Sequence, residues 1–297
     1  MSPSELTDAR TCPACDAGLA ASLEEWLLRC PACDLWVSLL GEGDGRLGSE
    51  TALDEQKRVA ALKRLRERTS EELLDALGRH MTLSGARLLD VGCAYGWFLE
   101  AARARGVVGC GIEPEAPIAA AARAGGLDVR AGYFPECVAP TERFDAIVFN
   151  DVLEHLPRVD AVLARCREIL SPDGKLLVFL PDSRGPLYRA ACWFHRAGYA
   201  GPFRRLWQKD FHSPHLSYFN SANLARCAAR HGFRLLTDRS LQTMSVEGLW
   251  LRIHMDGARP SLATAITFAG LVVASPILGR ITPSDALLHI YARDDAG

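Results

Sequence analysis

Leu88 to Leu99 reads LLDVGCAYGWFL, and the fold turns on how this stretch is parsed. Leu88, Leu89 and Val91 suit a buried strand. Asp90 to Gly96 carries two glycines four apart, and Trp97, Phe98, Leu99, Ala101 and Ala102 open an apolar pattern of helical period. The stretch predicts strand, tight glycine turn, helix. Glycine suits such a turn because a Cβ would oppose positive φ and the close approach of backbone to a ligand, while the following helix offers unpaired N–H groups. Working outward, Val107 to Ile112 (VVGCGI) predicts a second strand ending at Glu113. A carboxylate at that tip, about 20 residues past the turn, is where an α/β nucleotide fold receives ribose hydroxyls.

The alternation continues downstream. Pro114 to Ala124 is alanine-rich and helical, Leu127 to Ala131 predicts a third strand and Phe144 to Asn150 a fourth. Ile169 to Asp182 predicts a helix end, a Pro-Asp-Gly turn and a fifth strand; Phe233 to Ser240 and Leu287 to Arg293 predict the sixth and seventh. Such alternation implies right-handed crossovers and a doubly wound sheet with ligand at the carboxyl ends of the first and fourth strands. The glycine spacing selects the ligand class. A dinucleotide fingerprint needs G-x-G-x-x-G, but position 94 is Ala and the pattern is D-x-G-x-x-x-G, so the diphosphate cradle is incomplete.

On these residues the sequence resembles the class I S-adenosylmethionine-dependent methyltransferases, over roughly Leu73 to Ser240 plus the last strand. Asp90, Gly92 and Gly96, with Cys93 inside the turn, match the first motif, and Glu113, followed by Pro114, matches the ribose acid. The resemblance implies a Rossmann-like, doubly wound seven-stranded α/β sheet whose last strand is antiparallel, and S-adenosylmethionine as cofactor. Where the family often has an acid after strand three to hold the adenine amino group, this chain has Gly132-Tyr133, leaving Tyr133 to stack or to pack. Asn150-Asp151-Val152-Leu153-Glu154-His155-Leu156-Pro157 resembles the segment after strand four, which places Asn150 and Asp151 beside the methyl donor. Asp151, Glu154 and His155 would share one face if the segment were helical. His155 then reads as a general base or part of a divalent-metal site, as in the ubiquinone O-methyltransferases, or Glu154 and His155 simply cap the turn. Phe211 to Phe233 is similar to a ubiquinone and cell-surface-glycan subgroup in which a histidine lies near the active site, making His215 the second candidate base.

Cys12-Pro-Ala-Cys15 and Cys30-Pro-Ala-Cys33 are identical knuckles fourteen residues apart. Two such pairs can wrap one tetrahedral ion and staple a segment of about 40 residues that is too small to fold on its own core. The pattern predicts a structural zinc ribbon with Cys12, Cys15, Cys30 and Cys33 as ligands. Redox or disulfide pairs and a rubredoxin-like iron site are the competitors.

The organisation that follows is a ribbon at 1–40, a glycine- and charge-rich linker at 41–50, two covering helices at 51–83 and the cofactor core at 84–182. A substrate insertion at 183–232 and terminal strands with an apolar helical insertion at 233–297 complete the chain. Ser183 to Lys209 carries Arg184, Arg189, Arg196, Arg204, Arg205 and Lys209 among aromatic residues and no acid. That composition suits a phosphate-bearing substrate, an anionic lipid surface, single-stranded RNA, or an amphipathic lid packing its aromatics on the core. Pro260 to Gly279 is uncharged. It reads as a helix broken near Pro276 that lies in a membrane interface or covers a lipid-like substrate, or as a buried core or dimer helix.

The 297 residues, 48% hydrophobic, allow a sizeable core, and a net charge of −2 gives no global pull toward nucleic acid. MSPSELTDAR lacks the apolar stretch of a secretory signal. Six scattered cysteines (Cys93, Cys110, Cys137, Cys166, Cys192, Cys227) suit a reducing cytosol. Together these imply a cytoplasmic S-adenosylmethionine-dependent enzyme, with peripheral membrane contact from the insertions, that O-methylates a small or amphiphilic acceptor: a lipid-linked sugar, quinone precursor or secondary metabolite. An RNA-modifying methyltransferase and a non-catalytic zinc-ribbon scaffold are the alternatives.

Overall fold

A computed structural model describes residues 11–41, 55–241 and 284–294, and the side chains of its first helix from Lys63 onward. The first ten residues, most of the 41–50 linker and the apolar run at 260–279 lie outside the described residues.

Seven strands form the central sheet: β4 (Arg87–Val91), β5 (Val108–Glu113), β6 (Asp128–Ala131), β7 (Phe144–Asn150), β8 (Leu170–Pro181), β10 (Phe233–Leu241) and β11 (Ala286–Arg293). Their order is β10-β11-β8-β7-β4-β5-β6. β4 through β8 pair in parallel, whereas β11 runs antiparallel to both β8 and β10. Strand side chains alternate between two apolar layers. Leu89, Val91, Ile147, Phe149, Leu176 and Val178 face one side with α4 (Val159–Ile169) and α7 (Ser221–Arg230). Leu88, Ala146, Val148, Leu177 and Phe179 face the other, with α1 (Glu55–Gly78), α2 (Trp97–Ala104) and α3 (Ala116–Ala124). Burial on both faces explains why these strands read as continuous apolar runs rather than alternating ones.

Two local expectations are corrected. The covering segment is one helix, α1, and not two: the polar stretch between Leu65 and Leu73 contains neither Gly nor Pro, and the Ser70 hydroxyl donates back to the Arg66 carbonyl at 2.7 Å. The Pro-Asp-Gly turn does not precede the fifth strand but is bowed out within it. Leu170 already pairs with Phe144, and the ladder resumes only at Ala146 and Lys175.

The N-terminal segment is a second sheet, β1 (Ala20–Ala21), β2 (Leu27–Arg29) and β3 (Trp36–Ser38), completed by β9 (Ser217–Tyr218) from far along the chain. Its two knuckles repeat one geometry: Asp16 and Asp34 take left-handed φ of 60° and 66°, and their N–H groups donate to the Cys12 and Cys30 carbonyls. The basic-aromatic stretch folds as α5 (Pro186–Arg196) and α6 (Gly201–Leu206) against this sheet. Trp207, Phe203, Tyr188 and Tyr218 are buried with Leu27 and Trp36 in one cluster. Glu24 of the ribbon accepts from Arg204 Nε at 2.8 Å and pairs with His195 Nε2 at 3.0 Å. Phe203 sits at the centre, against Trp26, Trp36, Tyr188, Trp207 and His195. Phe203→Ala is therefore expected to cost about 3–5 kcal/mol. Urea denaturation measures it, and a loss below about 1 kcal/mol would mean that this cluster does not hold the ribbon.

Candidate active site

The carboxyl ends of β4, β5 and β7 open into one cavity of about 1190 Å³, which continues beneath α1 to the segment 205–218. Its floor is the glycine turn. Gly92, Ala94 and Gly96 all have positive φ (70°, 47° and 80°), and the Gly92 and Cys93 N–H groups donate to the Ile112 carbonyl at 2.8 and 3.0 Å. The two glycines are required by packing as well as by φ. A Cβ on Gly92 would lie 2.6 Å from Val152 Cγ2, and one on Gly96 2.2 Å from Leu127 Cδ1. At Gly92 the close approach is therefore to the segment after β7, not to the ligand alone.

Glu113 closes the turn. Its Oε2 accepts the Ala94 N–H at 2.9 Å and its Oε1 accepts the Glu115 N–H at 2.9 Å. Asp90 is buried behind it; burial first, and then the Glu113 charge, push its carboxyl up to about 8. The Cys93 thiol is also pushed up by burial and packs over Gly111, whose Cβ would lie 2.5 Å from its sulfur. Pro114 and Tyr133 line the same end, Tyr133 about half exposed after Gly132. The Asn150 Oδ1 is buried without a hydrogen-bond partner among the described residues.

The segment after β7 departs from the expected helical face. Asp151 has φ of 55° and only Leu153–His155 coil into a single 3₁₀ turn. Asp151 instead turns up to pair with the Arg66 guanidinium of α1. The sequence predicts that the α1 segment covers the sheet edge or the cofactor, and no pattern in it singles out Arg66. Glu154 is buried; burial and then Asp151 raise its carboxyl well above the ordinary range, and its Oε2 has no partner among the described residues.

His155 and His215, the two candidate bases from distant parts of the chain, meet edge to face with ring centroids 4.6 Å apart. His155 Nδ1 lies 3.0 Å from the Pro214 carbonyl, which can only accept, so the proton resides on Nδ1 and Nε2 keeps its lone pair. His215 Nε2 contacts Gln208 Nε2 at 2.9 Å. Burial lowers the proton affinity of both rings, and for His215 the neighbouring His155 adds to it. Ligand atoms of Glu154, His155 and His215 all lie within 4.8 Å of one another. Tyr218, which the sequence did not single out, also lines the cavity and packs at a tilt against His215, ring centroids 5.4 Å apart.

The second such group is Cys12, Cys15, Cys30 and Cys33, again with all sulfurs within 4.8 Å. The Cys12–Cys33 and Cys15–Cys30 separations are both 3.5 Å, close to the roughly 3.8 Å between thiolates on one tetrahedral zinc. Burial opposes ionisation of Cys15, but the Ala17 N–H and then the neighbouring thiols bring it down to about 7. No disulfide joins the described cysteines.

A family model for a methyltransferase domain matches residues 60–238, well over half of the chain, and the chain belongs to that family. The sheet order and the turn are those of the class I S-adenosylmethionine-dependent methyltransferases. A ubiquinone biosynthesis O-methyltransferase of Bradyrhizobium sp. (strain ORS 278) is 32% identical over 144 residues, 44% of this chain and 56% of the relative. One from Rhodopseudomonas palustris (strain BisB5) is 37% identical over 102 residues, 32% of this chain and 40% of the relative. The chain thus spans about half the length of the curated relatives it matches. Among solved structures, the cyclopropane synthase MmaA2 from Mycobacterium tuberculosis superposes with a TM-score of 0.53 at 20% identity, covering 74% of this chain and 83% of that one. At that identity the likeness is one of fold.

The two constraints on the turn can be separated. Gly85 has the same φ of 80° as Gly96 but open space where a Cβ would stand. Gly85→Ala should cost about 1–2 kcal/mol for the left-handed conformation alone, and Gly96→Ala that much plus roughly 1–3 kcal/mol for the clash with Leu127. Equal losses in denaturant titrations would show that Gly96 serves φ only.

Proposed function

We propose that this chain is an S-adenosylmethionine-dependent O-methyltransferase acting on a small or amphiphilic acceptor, with a zinc-stabilised ribbon. The observation that carries this reading is a single cavity with a buried acid pair, Asp90 and Glu113, at one end and a neutral imidazole with a free lone pair at the other. The orphaned Asn150 Oδ1 and the raised Asp90 carboxyl fit a polar, cationic ligand at the first end. When bound, S-adenosylmethionine supplies a methyl group already activated on a sulfonium. The protein's part is then to align the acceptor and remove its proton. Glu113 would take the ribose hydroxyls, Asp90 would face the cation, and Gly92, Cys93, Gly96, Pro114, Tyr133, Asn150 and Asp151 would line the pocket. His155 Nε2 would receive the acceptor proton, with His215 packed against its ring. A hydroxyl on an apolar quinone precursor, in keeping with relatives named for O-methylation in ubiquinone biosynthesis, fits the apolar wall of Leu156, Leu187, Tyr188 and Leu206.

An amphiphilic acceptor is favoured over RNA because three of the insertion's six aromatics and one of its arginines are committed to the ribbon. Trp207, Phe203 and Tyr188 are buried against the ribbon, and Arg204 is paired with Glu24. Trp193, Phe194 and Tyr199 remain exposed, which suits peripheral contact with a lipid surface. No helix among the described residues is long and apolar enough to cross a membrane.

Glu113→Ala should weaken S-adenosylmethionine binding by about 1.5–3 kcal/mol, roughly ten- to a hundredfold. Asp90 binds a proton up to about pH 8 in the free protein. A cation beside it favours the ionised form, so binding should release a proton below that pH and tighten as pH rises toward it. Calorimetry at pH 7 in buffers of different ionisation heat reads the release, and Asp90→Asn should abolish it. Buffer-independent heats in the wild type would remove Asp90 from the cofactor site. Metal analysis of the reduced protein should find about one zinc per chain, and metal retained in Cys30→Ser would exclude the four-thiolate site.

A further inference from the structure

Besides packing Trp36 on Tyr188, the ribbon reaches the cavity through one short, hydrogen-bonded piece of chain. Leu216 is held on both sides: its N–H donates to the Glu154 carbonyl at 2.7 Å, and its carbonyl accepts the Ser38 N–H at 2.8 Å. The next two residues, Ser217 and Tyr218, are β9, paired antiparallel with Val37 and Trp36 of β3. The preceding residue is His215. The segment therefore bridges the post-β7 turn, which carries His155, and the sheet organised by the four cysteines. The ribbon's knuckles are joined to the same region at two further points. The Asn223 side-chain amide donates to the Cys33 carbonyl at 3.2 Å, and Cys227 Sγ reaches the Pro13 carbonyl at 3.6 Å. Cys12, Ala14, Cys30 and Leu35 share one buried cluster with Phe219, Leu224 and Cys227.

We propose that the four-cysteine ribbon is a structural wall of the acceptor site: through Ser38 and β9 it fixes Leu216 and so sets His215 against His155. Ser38 and Leu216 are positioning residues that act through their backbone. β1, β2 and β3 are two or three residues long, too short to hold their own register in water without the thiolate staple. Loss of the ion then releases β3, and with it the Leu216 carbonyl, while the Glu113 end of the cavity, held by the Ala94 and Glu115 N–H groups of the turns after β4 and β5, is left in place. Metal occupancy would thereby control acceptor placement separately from cofactor binding. This rests on the four-thiolate reading given above.

The test uses the full chain, with wild type, Cys30→Ser, Ser38→Pro and Ser38→Ala compared. Ser38→Pro deletes the N–H that reaches Leu216 and leaves all four cysteines; Ser38→Ala keeps that N–H. Three quantities are read: hydrogen exchange over 214–219 by mass spectrometry, the ring signals of His155 and His215 in ¹⁵N-histidine-labelled protein, and S-adenosylmethionine affinity by calorimetry. Cys30→Ser, without metal, and Ser38→Pro, with metal retained, should both raise exchange over 214–219 about tenfold and shift both ring signals. Their affinity for S-adenosylmethionine should stay at the wild-type value, and Ser38→Ala should match the wild type throughout. Unchanged exchange and ring signals in Ser38→Pro would overturn the proposal, as would a parallel loss of S-adenosylmethionine affinity, which would mean that the ribbon supports the whole domain. If Cys30→Ser does not fold, chelation of the folded wild type replaces it. A wild type that carries no metal would overturn the thiolate reading itself, an outcome that the Ser38→Pro arm distinguishes from failure of the coupling.

Discussion

A carboxylate taken out of water must be met by donors, and Glu113 meets two, the N–H groups of Ala94 and Glu115. Each comes from a different loop, so one buried charge ties the turn after β4 to the turn after β5. The arrangement requires Ala94 at φ of 47°, a conformation that costs a side chain about 1–2 kcal/mol. A hydrogen bond to a charged group contributes about 1.5–3 kcal/mol, enough to offset it. Gly92, Gly96 and the pocket they floor are held in shape by this exchange.

Four buried groups of the cavity run toward neutrality in the free protein, beside the charged Glu113 and the Arg66–Asp151 pair. Burial raises the Asp90 and Glu154 carboxyls and lowers the basicity of His155 and His215. The two ends differ in what they are ready to accept. The Asp90 end gains negative charge at little cost once a cation arrives, and the His155 end holds a lone pair that takes a proton. One low-dielectric cavity thus presents complementary chemistry to a positively charged methyl donor and to a hydroxyl that must lose its proton.

The ribbon and the insertion between β8 and α7 illustrate how composition misleads about exposure. Basic and aromatic residues without an acid read as a binding surface or as a lid packing its aromatics on the core. Three of the aromatics, Tyr188, Phe203 and Trp207, pack inward on Leu27 and Trp36 of the ribbon, and the acid that balances Arg204 is Glu24, about 180 residues upstream in the ribbon. Neither segment has enough apolar surface to form a core alone. Each completes the other, and β9 makes the union a continuous sheet.

Local sequence determined the parts whose cause is local: the strand-turn-helix at Leu88–Leu99, the acid at the end of β5, the apolar runs of a sheet buried on both faces and the paired CPAC knuckles. Those features depend on φ preference, period and ligand spacing, all written within a few residues of one another. The meeting of His155 with His215, the Arg66–Asp151 pair, the pairing of β3 with β9 and the role of Val152 in demanding Gly92 were decided only by tertiary structure. Each joins residues far apart in the chain through contacts that no local pattern encodes. The same distance explains why the face drawn from Asp151, Glu154 and His155 failed: its i, i+3, i+4 spacing presumed a helix. The partners that actually hold those residues, Arg66, Leu216 and Pro214, come from other elements and pull the backbone into a single 3₁₀ turn.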